Sequence, residues 1–206
     1  MARPQNFSQE EFVRAALRIV DAEGIEALTF RRLGAEMGVS YTTIYTYFEN
    51  RDALITALMG QLLNEIESGI QFEGADPHAK LMEVGLGIRR VMAQHPLWIT
   101  TFMSTATGPA GAASSVTLGV ISILEEAGIP QDEIARTYRV FEGYIMGTTA
   151  FDFSAAPEHV SSRRLRYKGY GHVAFRDVGK TDKSVSAHNE DAFAFGLDRL
   201  LRGLGL

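Results

Sequence analysis

Residues 28–59 constrain the fold of this 206-residue chain more than any other segment. Apolar side chains recur there at helical spacing on both sides of a short break at residues 38–40, where Gly38 can end a helix in the left-handed conformation. Thr29, Ser40 and Asn50 each stand where a helix would begin, and each side chain can cap a free backbone N–H. The pattern predicts two short helices joined by a tight turn and followed by a longer helix, which is the layout of a helix-turn-helix.

The second of the two short helices has an unusual outward face. Ile44 and Phe48 lie four residues apart and should pack inward, which leaves threonines and tyrosines on the other side. Surface helices ordinarily favour Glu, Lys, Gln or Ala. A threonine hydroxyl, however, can bond to base edges, and a tyrosine hydroxyl can reach phosphate oxygens. The chemistry favours a DNA-reading face over the alternative of packing on neighbouring helices, because Ile44 and Phe48 already supply a packing face.

A preceding helix completes a three-helix unit. Ser8 and Glu11 have the spacing of a capping box, and Phe7 with Phe12 can form a hydrophobic staple. Gly24 ends the helix, and its apolar stripe consists of Val13, Ala16, Leu17 and Val20. We therefore predict a DNA-binding domain over residues 1–50, a linking helix over residues 51–70, and an all-helical domain over residues 71–206. The fold class is all-α.

The first 60 residues resemble the DNA-binding domain of the tetracycline-repressor (TetR) family of bacterial transcription regulators. The resemblance is carried by residues 28–33 (LTFRRL), 37–40 (MGVS), 44–48 (IYTYF) and 50–54 (NRDAL). One departure is Tyr47, where the family often has histidine next to the phosphate backbone. The resemblance implies a ligand-responsive homodimeric repressor that binds a near-palindromic operator in double-stranded DNA.

Residue roles follow from the same resemblance. The recognition helix would span residues 41–48, with base edges near its start and phosphates near Tyr45 and Tyr47. Arg31 and Arg51 would contact phosphate, or a base in the case of Arg31, although a solvated surface charge is the alternative for each. The full set expected at DNA is Thr29, Arg31, Ser40, Tyr41, Thr42, Thr43, Tyr45, Thr46, Tyr47 and Arg51.

The net charge limits how much electrostatic attraction to DNA we expect, because the chain has a formal net charge of −5. Residues 1–60 hold 6 arginines and no lysine against 8 acidic residues, a net of −2. We expect few phosphate neutralisations and a moderate salt dependence, with specificity from neutral hydrogen bonds. The acidic balance also leaves open a second hypothesis, a helical ligand-binding or interaction protein that keeps the fold without binding DNA.

The remainder of the chain reads as helices separated by Gly and Pro breaks, over residues 77–94, 97–108, 112–127, 131–154 and 189–204. The resemblance implies a small-molecule pocket among their bulky residues, although ordinary core is the alternative for each. The pocket candidates are Met92, Trp98, Phe102, Met103, Phe141 and Tyr144.

The last two of these helices are the candidates for a dimer interface, since a strongly apolar helix at a chain end frays unless it is docked. Gly143 and Gly147, four apart, would allow close helix approach. Docking of the apolar stripe within its own subunit is the alternative. The interface candidates are Ile134, Tyr138, Gly143, Gly147, Phe193, Leu197, Leu200, Leu201 and Leu204.

The remaining sequence features give little further information about the function. Residues 156–188 are rich in Ser, Gly and charge, and indicate a solvated loop, with a lid over the partner subunit's pocket or a contact to an anionic ligand as the alternatives. A GxGxxA match at residues 169–174 does not sit between a strand and a helix, so it does not predict a dinucleotide site. The five histidines lack metal-ligand spacing, and no catalytic constellation stands out, so we expect neither enzyme activity nor a cofactor. The absence of cysteine, a signal-peptide pattern and a long apolar run suits a cytoplasmic protein.

Overall fold

The computed structural model describes residues 7–70, 76–98, 114–153, 171 and 185–206. Within those ranges the chain is helical and has no strand, which confirms the all-α prediction. Two compact units are present: Met1–Ile70 with Gln94–Gly119 form unit 1, and Gln71–Ala93 with Val120–Leu206 form unit 2. No helix in the described part of the chain is long and apolar enough to cross a membrane.

Unit 1 begins with helix α1 (Gln9–Glu23), whose start is the predicted capping box. The Oγ of Ser8 accepts a hydrogen bond from the backbone N–H of Glu11 at 3.2 Å, and the Glu11 carboxylate accepts one from the Ser8 N–H at 2.7 Å. The rings of Phe7 and Phe12 lie 5.6 Å apart, so the predicted staple is also confirmed. The entry angle of the chain into α1 is therefore fixed by side chains that the sequence alone identified.

The next helices are α2 (Phe30–Met37) and α3 (Tyr41–Ile44). Thr29 and Ser40 cap them, and Asn50 caps the helix that follows. Each side-chain oxygen accepts from a backbone N–H two or three residues later, at 3.1, 3.3 and 2.8 Å respectively. These three predicted caps are thus confirmed.

The turn between α2 and α3 depends on two glycines. Gly38 ends α2 at φ 68°, the left-handed conformation that favours glycine. Gly34 allows the turn to fold back on α2, because a Cβ on it would lie only 2.8 Å from the carbonyl oxygen of Val39. A side chain at position 34 would push the turn, and with it the start of α3, away from α2.

Helix α3 is shorter than predicted. Its α-helical part ends at Ile44, and residues 45–47 continue as hydrogen-bonded turns instead of completing a helix over residues 41–48. The backbone N–H of Thr46 bonds to the carbonyl of Thr43 at 3.2 Å, and the Thr46 hydroxyl donates to the same oxygen at 2.7 Å. A side chain that bonds to the local backbone competes with helix propagation, which accounts for the tighter turns.

Helix α4 (Arg51–Ser68) closes unit 1. Ile44 and Phe48 point inward as predicted, and both are buried. The largest buried side chains of this unit, apart from those two, are Trp98, Phe12, Ile19, Leu28, Leu33, Leu54, Leu58 and Leu62. Since α1 and α4 contribute most of them, these two helices form the support on which α2 and α3 rest.

Unit 2 takes in most of α5 (Pro77–Gln94) and of α6 (Ser114–Glu126), together with α7 (Ile134–Phe153) and α8 (Val185–Gly203). Helix α5 has the predicted bounds, α6 ends one residue before and α7 begins three residues after the predicted bound, and α8 begins four residues earlier than predicted. The helix predicted over residues 97–108 lies almost wholly outside the described residues, as does most of the loop predicted over residues 156–188.

Polar contacts tie α5 to its neighbours in unit 2. Lys80 Nζ lies 2.6 Å from a carboxylate oxygen of Glu126 on α6. His78 Nε2 lies 3.1 Å from Asp198 on α8, and Asp198 also accepts from Arg202 at 3.0 Å. The hydrogen bond from Arg202, helped by its charge and by His78, lowers the pKa of Asp198 below its ordinary value.

Candidate nucleic-acid interface

The predicted outward face projects from the turn after α2. The side chains of Tyr41 and Tyr45 are 55% and 56% exposed, whereas Ile44 between them is fully buried. The ring of Tyr45 packs edge-on against Phe30, with 4.8 Å between ring centroids. This contact leaves the tyrosine ring fixed at its base while most of its surface faces solvent.

Four side chains of this surface have donors that no described residue of the domain accepts. Within the described residues, Arg31, Tyr41, Thr43 and Tyr45 make no internal side-chain hydrogen bond or ion pair. We call these four residues the reader face. Arg31, Tyr41 and Tyr45 are exposed, and Thr43 is half-buried. A phosphate oxygen is an acceptor and a base edge offers both donors and acceptors, so hydroxyl and guanidinium donors are the groups that either would bind.

Other polar residues predicted at DNA also shape the turn. The hydroxyls of Ser40 and Thr42 lie 2.7 Å apart, and Thr46 donates to the carbonyl of Thr43 at 2.7 Å. Like the capping residue Thr29, these three side chains are exposed. Their hydroxyl oxygens can therefore meet DNA, but their first role is to stabilise the local backbone.

Tyr47 has a different role from the predicted phosphate contact. Its hydroxyl donates to the backbone carbonyl of Phe7 at 2.7 Å, and its ring packs 4.8 Å from that of Phe12. A phenol has one proton to donate. Because that proton already binds a carbonyl, the structure corrects the prediction: Tyr47 ties the segment before α1 to the turn after α3.

Arg51, which was also predicted to contact phosphate, has two internal partners in the structure. Its Nε donates to the carbonyl of Leu28 at 2.8 Å, and its Nη2 donates to the carbonyl of Ile25 at 2.6 Å. Ile25 begins the short 3-10 helix that connects α1 with α2. The side chain therefore joins the start of α4 to the chain segment just before α2.

The neighbouring Arg32 is part of an ion network. It contacts Glu23 at 2.7 Å and Glu36 at 2.9 Å. The hydrogen bonds that Arg32 donates to these two carboxylates, the one to Glu23 first, raise the pKa of Arg32 above its ordinary value. Two of the acids that weighed against DNA binding are thus paired within the domain, while Arg31 on the same helix is exposed.

The predicted pocket residues that the structure describes are divided between the two units. Met92, Phe141 and Tyr144 belong to unit 2, and Trp98 is fully buried in unit 1. Phe102 and Met103 lie outside the described residues. Of the described candidates, Met92, Trp98 and Phe141 are buried within their own units and Tyr144 is half-buried.

The predicted dimer interface needs a larger correction. Ile134, Phe193, Leu197 and Leu201 are buried against their own chain, so they are not available to a second subunit. Tyr138, Leu200 and Leu204 are half-buried, and Gly143 and Gly147 are exposed. The apolar stripe of α8 thus packs within the subunit, which is the alternative that the sequence left open.

Exposed apolar residues that the sequence argument missed lie on the other faces of α7 and α8. Val140 is 44% exposed and shares a face of α7 with Gly143 and Gly147, and Phe195 on α8 is 65% exposed.

Within the described residues, no group of three or more His, Cys, Asp or Glu side chains could hold a metal ion.

Comparison with known proteins matches both parts of the chain to one family. The family model described as bacterial regulatory proteins, tetR family, matches residues 12–58. The model described as tetracyclin repressor-like, C-terminal domain, matches residues 73–205. The HTH-type transcriptional repressor DrrR1 of Streptomyces coeruleorubidus is 22% identical over 209 residues, which cover 95% of this chain and 76% of that protein.

Solved structures share the fold. The transcriptional regulator SCO7222, a TetR from Streptomyces coelicolor, superposes with a TM-score of 0.79 at 18% identity, covering 96% of this chain and 97% of that one. BioQ with its natural double-stranded DNA operator gives 0.66 at 22% identity, covering 97% and 98%. ActR of Streptomyces coelicolor in complex with (S)-DNPA gives 0.70 at 20% identity, covering 97% and 99%.

Proposed function

Because the chain belongs to the TetR family of bacterial regulatory proteins, we propose that it is a homodimeric repressor that binds a near-palindromic operator and is released by a small molecule. Family membership makes it a transcriptional regulator and not an enzyme. We assign DNA binding to residues 1–50 and ligand binding and dimerisation to residues 71–206, with residues 51–70 between them. Such a regulator would act in the cytoplasm, where bacterial DNA lies.

The observation that carries the DNA-binding proposal is the reader face. Arg31, Tyr41, Thr43 and Tyr45 present donors that the described part of the domain does not use, on a turn whose geometry is fixed by caps and by Gly34. Thr43 would read base edges, while Arg31 and Tyr45 would bind phosphates. BioQ, which has the same fold, has been solved with its DNA operator.

The exposed face of α7, together with Phe195 of α8, is the surface we assign to the homodimer. Val140, Gly143 and Gly147 follow one another at helical spacing, so a partner helix could approach α7 closely there. Burial of Phe195 would remove a large apolar ring from water. A two-fold axis through this surface would present two reader faces to DNA, each to one half-site.

Release by ligand requires two conformations with different affinities for DNA. A small molecule can shift the protein off its operator only if it binds the other conformation more tightly. The support for a ligand is the fold shared with ActR, which was solved in complex with (S)-DNPA.

The proposal is tested by selecting genomic fragments on the immobilised protein and measuring their affinity by gel shift. We expect wild type to retain specific fragments, and Tyr45→Phe to bind both specific and unrelated fragments more weakly, because it removes one phosphate contact. Thr43→Ala should lose specific affinity by about 1–3 kcal/mol while its affinity for unrelated DNA is unchanged.

Tyr47→Phe is the matched control, since it removes a hydroxyl two residues away that is already bound to Phe7. It should bind DNA like wild type at temperatures where it is folded. The proposal fails if wild type enriches no fragment at low salt, which would leave a helical ligand-binding or interaction protein as the function. The assignment of the reader face fails if Tyr47→Phe weakens DNA binding and Tyr45→Phe does not.

A further inference from the structure

The two tyrosines of the reader face are equally exposed but have different surroundings. Tyr41 and Tyr45 lie four residues apart, and their side chains are 55% and 56% exposed. The ring of Tyr45 packs edge-on against Phe30, with 4.8 Å between the ring centroids and 75° between the ring planes. Tyr41 has no ring partner among the described residues. The contact with Phe30 therefore distinguishes two residues that the sequence pattern does not separate.

Phe30 stands on backbone that hydrogen bonds hold in place. It is the first residue of α2, and the cap that precedes it, Thr29, accepts from the backbone N–H of Arg32 at 3.1 Å. One residue earlier, the carbonyl of Leu28 accepts from Arg51 at 2.8 Å. The side chain of Phe30 is half-buried. Because its backbone is fixed in this way, its ring gives Tyr45 a fixed surface to pack on.

The orientation of an exposed tyrosine matters for DNA binding because it has to be ordered in the complex. A tyrosine side chain turns about two bonds, and an exposed ring without a partner can populate several rotamers. Binding that selects one of them loses affinity through the entropy of ordering, and a side chain that is already ordered avoids this loss. An edge-on aromatic pair at 4.8 Å is a favourable contact that orders Tyr45 before DNA is bound.

We propose that Phe30 is a positioning residue for the phosphate contact of Tyr45. Its ring selects the orientation in which the Tyr45 hydroxyl, which has no internal partner among the described residues, can donate to a phosphate oxygen. Phe30 acts through Tyr45 and does not itself bind DNA, whereas Tyr41 takes up its orientation only on the operator. The inference rests on the proposed function, because it concerns a contact of the reader face.

The neighbouring Arg31 offers a second route by which a change at Phe30 could affect DNA binding. Arg31 follows Phe30 on α2 and is exposed. The two routes differ in their dependence on salt, because a displaced arginine releases fewer counterions and lowers the salt slope, whereas the loss of an uncharged hydroxyl contact does not. The salt slope therefore shows which of the two residues Phe30 acts on.

The test compares Phe30→Leu, which keeps an apolar side chain but removes the ring, with Phe30→Tyr, which keeps the ring. Affinities for selected and unrelated DNA fragments are measured by gel shift over a range of salt concentrations. Phe30→Leu should weaken binding to both kinds of fragment by roughly fivefold to tenfold in a dimer, the lower end of the cost of ordering one side chain in each subunit. Its salt slope should equal that of wild type, and Phe30→Tyr should bind like wild type.

A double variant shows whether the effect passes through Tyr45. In a protein that already carries Tyr45→Phe, the positioned hydroxyl is absent, so Phe30→Leu should weaken DNA binding no further. The matched control is Phe7→Leu, which removes another half-buried ring of unit 1, one that packs on Phe12 and not on Tyr45. It should bind DNA like wild type at temperatures where it is folded.

The orientation itself is measured without DNA, by fluorine NMR of the full-length protein labelled with fluorotyrosine. The signals of Tyr41 and Tyr45 are assigned from their disappearance in Tyr41→Phe and Tyr45→Phe. Phe30→Leu should shift the Tyr45 signal, because the ring that packs on it is gone, and should leave the Tyr41 signal in place. An unchanged Tyr45 signal would overturn the proposal.

The DNA measurements overturn the proposal in three further ways: if Phe30→Leu binds like wild type, if it weakens the Tyr45→Phe protein further, or if it lowers the salt slope. Equal weakening by Phe7→Leu would also overturn it, because loss of any half-buried ring would then suffice. If Tyr45→Phe binds like wild type, the assignment of the reader face fails as well. A loss in Tyr45→Phe with wild-type affinity in Phe30→Leu rejects this inference alone.

Discussion

Replacement of Arg51 distinguishes a residue that positions the backbone from a residue that binds phosphate. Its guanidinium donates to the carbonyls of Leu28 and Ile25 at 2.8 and 2.6 Å, and the side chain is half-buried. We predict that Arg51 is a positioning residue that holds the start of α2, and that it contributes little to phosphate binding. Arg51→Met removes both hydrogen bonds, and Arg51→Lys keeps the charge but loses the two-pronged geometry.

The size of the effect follows from those two contacts. A hydrogen bond to a charged group contributes about 1.5–3 kcal/mol, and partial exposure places each of these near or below the lower value. We therefore expect Arg51→Met to lower the free energy of unfolding by about 2–3 kcal/mol. Lys can reach one of the two carbonyls, so Arg51→Lys should lose about half as much.

The assay is urea denaturation followed by the fluorescence of Trp98, at one fixed protein concentration. Trp98 is the only tryptophan in the sequence and lies fully buried in unit 1, so its fluorescence reports on the unit that holds Arg51. DNA affinity is then measured against salt concentration for each folded variant. Because phosphate neutralisation releases counterions, each lost phosphate contact lowers the slope by about 0.9.

The matched control is Arg31→Met. Arg31 is exposed and its side chain makes no hydrogen bond or ion pair with the described residues, so its replacement should leave stability unchanged and lower the salt slope by about 1.8 for a dimer. Arg51→Met should lower the free energy of unfolding and leave the salt slope almost unchanged. The reasoning is refuted if Arg51→Lys is as stable as wild type while Arg51→Met lowers the salt slope as Arg31→Met does.

Three further predictions concern packing, assembly and pH. Gly34→Ala should destabilise unit 1 by about 1–3 kcal/mol in the same denaturation assay, because its Cβ would meet the Val39 carbonyl at 2.8 Å; Gly119→Ala, with no described atom within 4 Å of its Cβ, should not. Phe195→Asp should convert a dimer to a monomer in sedimentation, with the helical content kept; an unchanged dimer would contradict the assigned surface. Because Arg202 lowers the pKa of Asp198, this carboxylate stabilises the fold above the ordinary Asp pKa, and its contribution is lost as pH falls below about 4. Asp198→Asn should therefore reduce the acid-induced fall in melting temperature, and an identical pH profile would argue against it.

Much of unit 1 could be predicted because its signals are local. Ser8, Thr29, Ser40 and Asn50 cap helices through bonds that span three residues or fewer, and Gly38 takes the left-handed conformation at the helix end. Such features depend on neighbours along the chain, so sequence order alone identifies them. The resemblance to a known family extended that reading from fold to function.

The roles of Tyr47 and Arg51 could not be predicted, because their partners lie 40 and 23 or more residues away in sequence. The sequence shows that each side chain has a donor, but not that a distant backbone carbonyl accepts from it. The same reason explains α8: its apolar stripe predicted a buried face, but not whether the covering helices belong to the same subunit. Phe195, on the opposite face of that helix, was visible in the sequence as a large apolar residue outside the stripe.

The ion pair of Arg89 with Asp152 in unit 2 was overlooked for a related reason. Arg89 lies on the apolar face of α5, four residues after Gly85 and eight after Leu81, and both of those residues are buried. A charged residue at a core position of a helical pattern is a signal that a periodicity search can use. Its partner Asp152, 63 residues later, could be found only from the structure.

Hydroxyl-radical footprinting of the protein on a selected genomic fragment tests the central claim most directly. If two reader faces are held by a two-fold dimer, the protein should protect two patches on one face of the duplex. The patches should be related by symmetry and separated by one or more whole helical turns of about 34 Å. A single unpaired patch, or even protection along the fragment at all protein concentrations, would contradict the account.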